Sequence, residues 1–299
     1  MERLNDINNY LIVENGTVKE YEFQQNIKVI DHHLTIYEDA KIQIIYLLTQ
    51  PDQYCFDLTI QDHTKVDLIE MYEASCQCSF HKNLIVKDNS FVTRYVENGS
   101  YCHENIDVKE TVEIYQDAHM NCAYVELANY STLSQVQYRL LQEGADVHLR
   151  LASLSKEKET KQYQMTLEHL APNTFGDMDN YGIVKSQAKL IIDGVGRITK
   201  GNYLSSTHQT NKIIVFDDGC VAQANPYLYI DEYDVKASHG ASVGKIDEDH
   251  LYYLESRGLS KQDAMHLVTY GYFLPVLEFI TVDSLKERFS QVLKDKVGL

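Results

Sequence analysis

Cys220, in FDDGCVAQANP, and His239, in KASHGASVG, carry side chains that can do chemistry. A thiolate is both a nucleophile and a soft metal ligand, so Cys220 can accept sulfur or hold a metal; a buried small apolar side chain is its plainer use. A neutral imidazole with one nitrogen held by a hydrogen bond can ligate a metal or shuttle a proton, and the plainer role of His239 is to help close a turn beside Gly240. His208, in SSTHQTN, lies near enough to Cys220 to be a lesser candidate for the same site. Glu248 stands with Asp247 and Asp249 where a helix is expected to start, and negative charge there meets unpaired N–H groups.

The other five cysteines are Cys55, Cys76, Cys78, Cys102 and Cys122. Six cysteines in 299 residues are too few for a disulfide scaffold and are expected as thiols. Cys55 to Cys76, Cys78 to Cys102 and Cys102 to Cys122 are 21, 24 and 20 residues, a spacing close to one coil of a β-helix, so these residues are expected to stack in one column. Cys76 and Cys78 would share one face of a strand. Either the column supplies metal ligands or a route for sulfur through the interior, or it is a ladder of small apolar side chains; the ladder is the preferred reading.

Strands must position these groups. From Tyr10 to Leu151 the runs IKVID, LTIYED, AKIQIIYLL, FDLTIQD, KVDLIEMYEA, NLIVKDNS, TVEIYQD and DVHLRLAS alternate with period two and are rich in Ile, Val, Thr and Tyr. Corners are expected at EDA, KDNS, ENGS, QDAH and EGAD. The segment 151–176 begins with a charged patch and reads as a loose corner or inserted loop, after which strands resume to Gly244. A β-sandwich would give a similar series, but the lack of long helical interruptions and the cysteine spacing favour a solenoid. Past the junction Asp234–Gly258 the text turns helical. One helix starts at Asp247 and stops at Gly258. A second is capped by Ser260 with Asp263, has Ala264, Leu267, Val268, Gly271 and Leu274 on one face, and is kinked or divided at Pro275. A third runs from Asp283 with Leu285, Phe289, Val292 and Leu293 inward. These stripes are expected to pack on the end of the solenoid.

The composition, 27 Lys+Arg against 44 Asp+Glu for a formal charge of -17, opposes non-specific attraction to nucleic acid or anionic lipid. No apolar run approaches the roughly 20 residues of a spanning helix, and MERLNDINNYLIVENG is not a positively charged leader followed by an apolar stretch. The expectation is a cytoplasmic protein with no nucleic-acid or membrane partner.

The passage KASHGASVGKIDEDHLYYLESRGLSKQDA resembles the C-terminal signature of the SufB/SufD family of iron–sulfur cluster assembly scaffolds, in which SHGAT-like strand text leads into an EDxLFYLxSRG-like helix; the resemblance is dense from Gln187 to Ile280. It implies a mainly β fold, a right-handed parallel β-helix over residues 1–246, with a C-terminal helical subdomain over 247–299 that docks a SufC-like ABC ATPase. It further implies pairing near the C-terminal end of the β-helix, with itself or with a SufB/SufD paralogue, and a transient iron–sulfur cluster built at that interface with sulfur from a donor protein. On this resemblance Cys220 is the sulfur-accepting and cluster-binding cysteine of SufB-type members, His239 the histidine that SufD-type members set opposite it, and Glu248 a further ligand of SufB-type members. Cys220 and His239 in one chain depart from both subfamilies and fit a homodimer, in which a single gene product replaces a heterodimer. There is no G-x-x-x-x-G-K-[ST] loop, so ATP hydrolysis belongs to a partner and the chain is not expected to be an enzyme. Two competing readings are a SufD-like module that docks the ATPase without holding a cluster, and a polysaccharide-active β-helix enzyme using Asp/Glu pairs.

Overall fold

From the fourth strand onward the strands of this chain continue in the sheet not through the next strand in sequence but through the strand two places on, which is how a coil satisfies both of its edges. The computed structural model describes residues 3–4, 6–100 and 105–297. Four short strands come first: β1 (Asn9–Glu14), β2 (Thr17–Glu22), β3 (Ile27–Ile30) and β4 (His33–Ile36). One sheet then continues through β5 (Ala40–Leu48), β7 (Lys65–Ala74), β9 (Phe91–Asn98), β11 (His119–Glu126), β13 (Asp146–Ser155), β15 (Phe175–Val184), β17 (Ser206–Val215) and β19 (Lys236–Lys245). The other runs through β6 (Gln53–Ile60), β8 (Cys78–Val86), β10 (Asn105–Ile114), β12 (Ser131–Leu140), β14 (Thr160–His169), β16 (Lys189–Ile198) and β18 (Val221–Ile230). The fold is a mainly parallel β-solenoid of about eight turns followed by three helices.

The coil is longer than the cysteine spacing suggests. Registers such as Ala40↔Val66 and Phe175↔Ser206 put 26 to 31 residues in a coil of two strands. The cysteines therefore drift around it instead of stacking. Cys55 on β6 is exposed and faces His81, Cys76 lies in the corner before β8, Cys78 faces Ile106, and Cys122 sits between Arg94 and Leu149. Only Cys78 and Cys122 are buried, in different sheets; Cys102 lies outside the described residues. The segment 151–176 is no inserted loop either: Lys156–Glu159 forms an ordinary corner and β14 follows in register.

The corners that lead from the second sheet back to the first share a residue with a left-handed backbone, His63, Asn89, Asp117, Gly144, Asn173 and Leu204 in turn, with φ from 51° to 76°. Each donates its N–H to a carbonyl of the next coil, for example Asn89 to Gln116 at 2.8 Å and Asn173 to Tyr203 at 3.0 Å. Asn and Asp tolerate this region and Gly is indifferent to it, so three of the five expected corners, KDNS, QDAH and EGAD, contain the residue that turns the chain.

The two ends of the solenoid are unlike. At the N-terminal end β2 folds back antiparallel on β1 and β3 on β4, so each sheet finishes in a strand of six or four residues. Short edge strands of this sort discourage further pairing. At the other end β18 and β19 are full ten-residue strands, each paired on one side only among the described residues.

The helices leave that end uncovered. α1 (Glu248–Ser256) is capped by Asp247, whose side chain accepts from the N–H groups of Asp249 and His250, and it stops at Gly258 with φ 98°. α2 (Lys261–Leu277) is capped by Ser260, and α3 (Asp283–Val297) buries Leu285, Phe289 and Leu293. α2 and α3 lie along the outer face of the first sheet, in a second core that reaches from Ile183 back to Ile69 and Met71, instead of on the solenoid's end. That placement rotates α2: Met265, Phe273 and Val276 face the sheet, while Leu267 and Leu274 are half exposed. α2 runs undivided past Pro275, which falls in its last turn. Among the described residues no helix is long and apolar enough to cross a membrane.

Gly144 has φ 76°, and a Cβ there would lie 2.0 Å from Oδ1 of Asp117 in the preceding corner. Gly144→Ala should lower unfolding stability by roughly 1–3 kcal/mol in urea titration without changing the circular dichroism of the folded state.

Candidate functional site

Cys220 ends the corner between β17 and β18. Its N–H donates to the Asp217 carbonyl at 3.2 Å, and its Sγ lies 3.6 Å from the Ser186 carbonyl. It is half-buried against the solenoid core, and burial raises its thiol pKa above the ordinary value, so at neutral pH it is held as the thiol. The corner is braced from both sides: Asp217 accepts the Ser186 N–H at 2.6 Å, and Asp218 pairs with Lys245 at the end of β19.

His239 is on the edge strand β19. Its partner in register is Gln209, a buried lumen residue, so His239 looks along the open lumen and is exposed because no further coil covers it. The same luminal face of the last coil carries Ala222, Ala224, Leu228, Ala237, Ala241 and Val243. Cys220 is level with the Lys245 end of β19, six residues beyond His239, which at about 3.3 Å per residue is a separation of roughly 20 Å along the strand. One chain therefore does not bring the two together. Glu248 opens α1 at the same end as Cys220 and lines a 390 Å³ cleft with Lys185, Asp217, Ile246, Leu251 and Lys261. His208 points to the outer face of the first sheet, away from Cys220.

The solenoid interior holds a polar constellation that the strand pattern hides. Arg94, fully buried, donates from Nε to Glu70 at 2.6 Å and from Nη2 to Glu110 at 2.5 Å. Lys82 Nζ reaches Glu70 at 2.9 Å and Glu110 at 3.1 Å, and the hydroxyls of Tyr46 and Tyr124 donate to these two carboxylates. Burial pushes the Glu110 carboxyl up, but Arg94 and Lys82 outweigh it and hold it down at about 2. Removing one member would leave an unpaired buried charge, costing about 3–5 kcal/mol. Cys122 lies beside Arg94, its thiol pushed up to about 11 by burial. Further along, Tyr72 donates to Glu126, whose carboxyl burial raises to about 7, and Lys161 donates to three carbonyls. Nearer the open end Asn180, Thr207, Gln209 and Asn211 turn the lumen polar again, in space kept by Gly194, where a Cβ would lie 2.5 Å from Gln209 Oε1. The sequence signal for all this was a charged or amide residue in phase with apolar ones, such as Glu70 between Leu68 and Tyr72.

A family profile described as SUF system FeS cluster assembly, SufBD core domain, matches residues 55–272, most of the chain and well upstream of Gln187. The chain belongs to the SufB/SufD family. Among curated proteins it is similar to the iron–sulfur cluster assembly protein SufD of Bacillus subtilis (strain 168), 25% identical over 307 residues that cover 94% of this chain and 70% of that protein. SufD of Escherichia coli (strain K12) is 29% identical over 106 residues, 36% of this chain and 25% of that protein. A SufBD family protein of Staphylococcus saprophyticus is 23% identical over 250 residues, 79% and 53% respectively. SufB/SufD membership gives the chain a role in SUF iron–sulfur cluster assembly.

The lumen of this SufB/SufD protein also makes a pH prediction. His169 is fully buried, with Nδ1 2.8 Å from Thr174 Oγ1 and no partner at Nε2, and burial pushes its imidazole down to about 4 from 6.5. The unfolded chain takes up this proton first, so the stability from burying neutral His169 is complete above pH 6.5 and is lost as pH falls toward 4. The loss is about 3 kcal/mol. Urea midpoints should fall over that interval for the wild type, and His169→Asn should flatten the limb.

Proposed function

We propose that this protein is a non-catalytic scaffold of the SUF system that pairs through its last coil and builds a nascent iron–sulfur cluster where two copies meet. The observation that carries the reading is the uncapped C-terminal end: two full-length edge strands, a luminal face of small apolar side chains around His239, and Cys220 at the corner of the same coil. Edge strands of that length seek a partner. A two-fold axis that lays the edges antiparallel would bring the Cys220 end of one copy toward the His239 half of the other, and a second copy of this chain or a SufB/SufD paralogue supplies the surface.

The cluster is the product, and iron and sulfide are its substrates. Cys220 would take sulfane sulfur from the cysteine persulfide of a donor protein, which leaves as its thiol, and a two-electron thiol or flavin reductant would release that sulfur as sulfide. Cys220 would then ligate iron as the thiolate, His239 through one imidazole nitrogen, and Glu248 through a carboxylate from the start of α1. α1 stands at the same end of the solenoid as the Cys220 corner, with Glu248 and Leu251 in one cleft with Asp217. We assign the segment 247–299 to docking a SufC-like ABC ATPase. In support, Tyr252 and Tyr253 of α1 and Leu267 and Leu274 of α2 are exposed apolar side chains that no other described element covers.

The names of the relatives favour a second reading, since both the Bacillus and the Escherichia proteins are called SufD: the chain docks the ATPase but holds no cluster. Anaerobic reconstitution with iron and sulfide separates the two. A cluster chromophore on the wild-type dimer that Cys220→Ala loses supports the scaffold, whereas no chromophore on the dimer with normal ATPase binding supports the module, and an unchanged chromophore in Cys220→Ala puts the site elsewhere. Val243→Glu, which sets a charge on the open luminal face, should shift the protein from dimer to monomer in sedimentation velocity.

A further inference from the structure

The outer face of the first sheet carries a second cluster of ligating side chains, on the halves of the strands that α2 and α3 leave bare. Asp177 and Asp179 alternate on β15 and so share that face, and His208 on β17 is the register partner of Asp177. One ligand atom from each lies within 4.8 Å of the others. His148 on β13 flanks the group from the other side, with Nδ1 3.5 Å from Asp177 Oδ2. The His208 ring is fixed by the edge strand, its Nδ1 standing 2.6 Å from Ser238 Oγ, as a metal-binding imidazole is fixed through its second nitrogen, while Nε2 lies 3.2 Å from the Thr210 hydroxyl, which an ion would displace. All three donors sit on hydrogen-bonded parallel strands, which hold them in place more tightly than loops do.

A cation already lies between the carboxylates. Arg150 Nη1 contacts Asp179 Oδ2 at 2.5 Å and Asp177 Oδ2 at 3.3 Å, while its Nε is buried without a partner and its guanidinium lies 5.0 Å from the centre of the Phe279 ring. The guanidinium thus bridges the two carboxylates while it lies over the Phe279 ring.

We infer that Asp177, Asp179 and His208 form a binding site for a divalent transition-metal ion, with Arg150 occupying the carboxylates in the metal-free protein. One imidazole nitrogen and two carboxylate oxygens suit borderline ions such as Fe2+, Co2+ and Zn2+; three protein donors are too few for Ca2+, and the set lacks the thiolate or thioether that Cu+ prefers. The site is separate from Cys220 and His239 and does not depend on their role.

Co2+ is the probe, followed by anaerobic equilibrium dialysis and visible absorption on the full chain carrying Cys220→Ser, so that this thiol contributes nothing. One Co2+ per chain is expected, with affinity falling by more than about tenfold in Asp179→Asn and in His208→Ala. His208 is exposed, so its removal leaves the fold intact, which an unchanged melting temperature verifies. Arg150→Gln removes the competing cation and should tighten binding. No Co2+ on the parent protein, parent-like affinity in both ligand variants, or an Arg150→Gln affinity no better than the parent's would each overturn the assignment.

Discussion

In a parallel solenoid the N–H and C=O groups of every internal strand are satisfied by the coils on either side, and the outermost strands must find another solution. Here the two ends solve the problem differently. The first coil closes on itself with two hairpins, whereas the last presents two ten-residue strands and their luminal side chains. The helices could have covered that end but lie along the outer face of the first sheet. The exposure of His239 and Val243 follows from this one omission, and Cys220 stands at the adjoining corner.

The interior adds a second constraint. Glu70, Arg94, Glu110 and Lys82 form a compensated ion cluster deep in the lumen, and a well-packed apolar replacement of a buried ion pair is often no less stable. Stability alone therefore does not account for it. The polar groups recur along the lumen, through Tyr124 and Cys122 to Glu126 and Lys161 and again at Asn180, Gln209 and Asn211, and the last of these adjoin His239.

Much of this was legible in the sequence where local rules decide. Period-two alternation marks β5, β7 and β13, the left-handed corners fall on Asn89, Asp117 and Gly144, and Asp247 and Ser260 cap the helices they precede. What escaped depended on register between distant residues. The cysteine spacing matched a coil of 20 to 24 residues while the real coil is set by two strands and two corners, so the thiols scatter. The face that α2 buries depends on where it docks, and a helix laid along a sheet exposes Leu267 and Leu274 that a helix placed over the end would have covered. Cys220, His239 and Glu248 were picked out through family resemblance; the roughly 20 Å between the first two became apparent only once β17 and β19 were aligned, and it makes a second copy necessary if both are to hold one cluster.

That requirement can be tested by complementation. Cys220→Ala and His239→Ala chains, each carrying a different affinity tag, would be co-expressed, and the mixed dimer isolated and reconstituted with iron and sulfide without oxygen. Sites shared between copies predict that neither variant alone gains the cluster chromophore while the mixed dimer regains part of it, because the cysteine of one chain meets the histidine of the other. A mixed dimer as colourless as the single variants, or a His239→Ala protein that forms the cluster as the wild type does, would contradict the account.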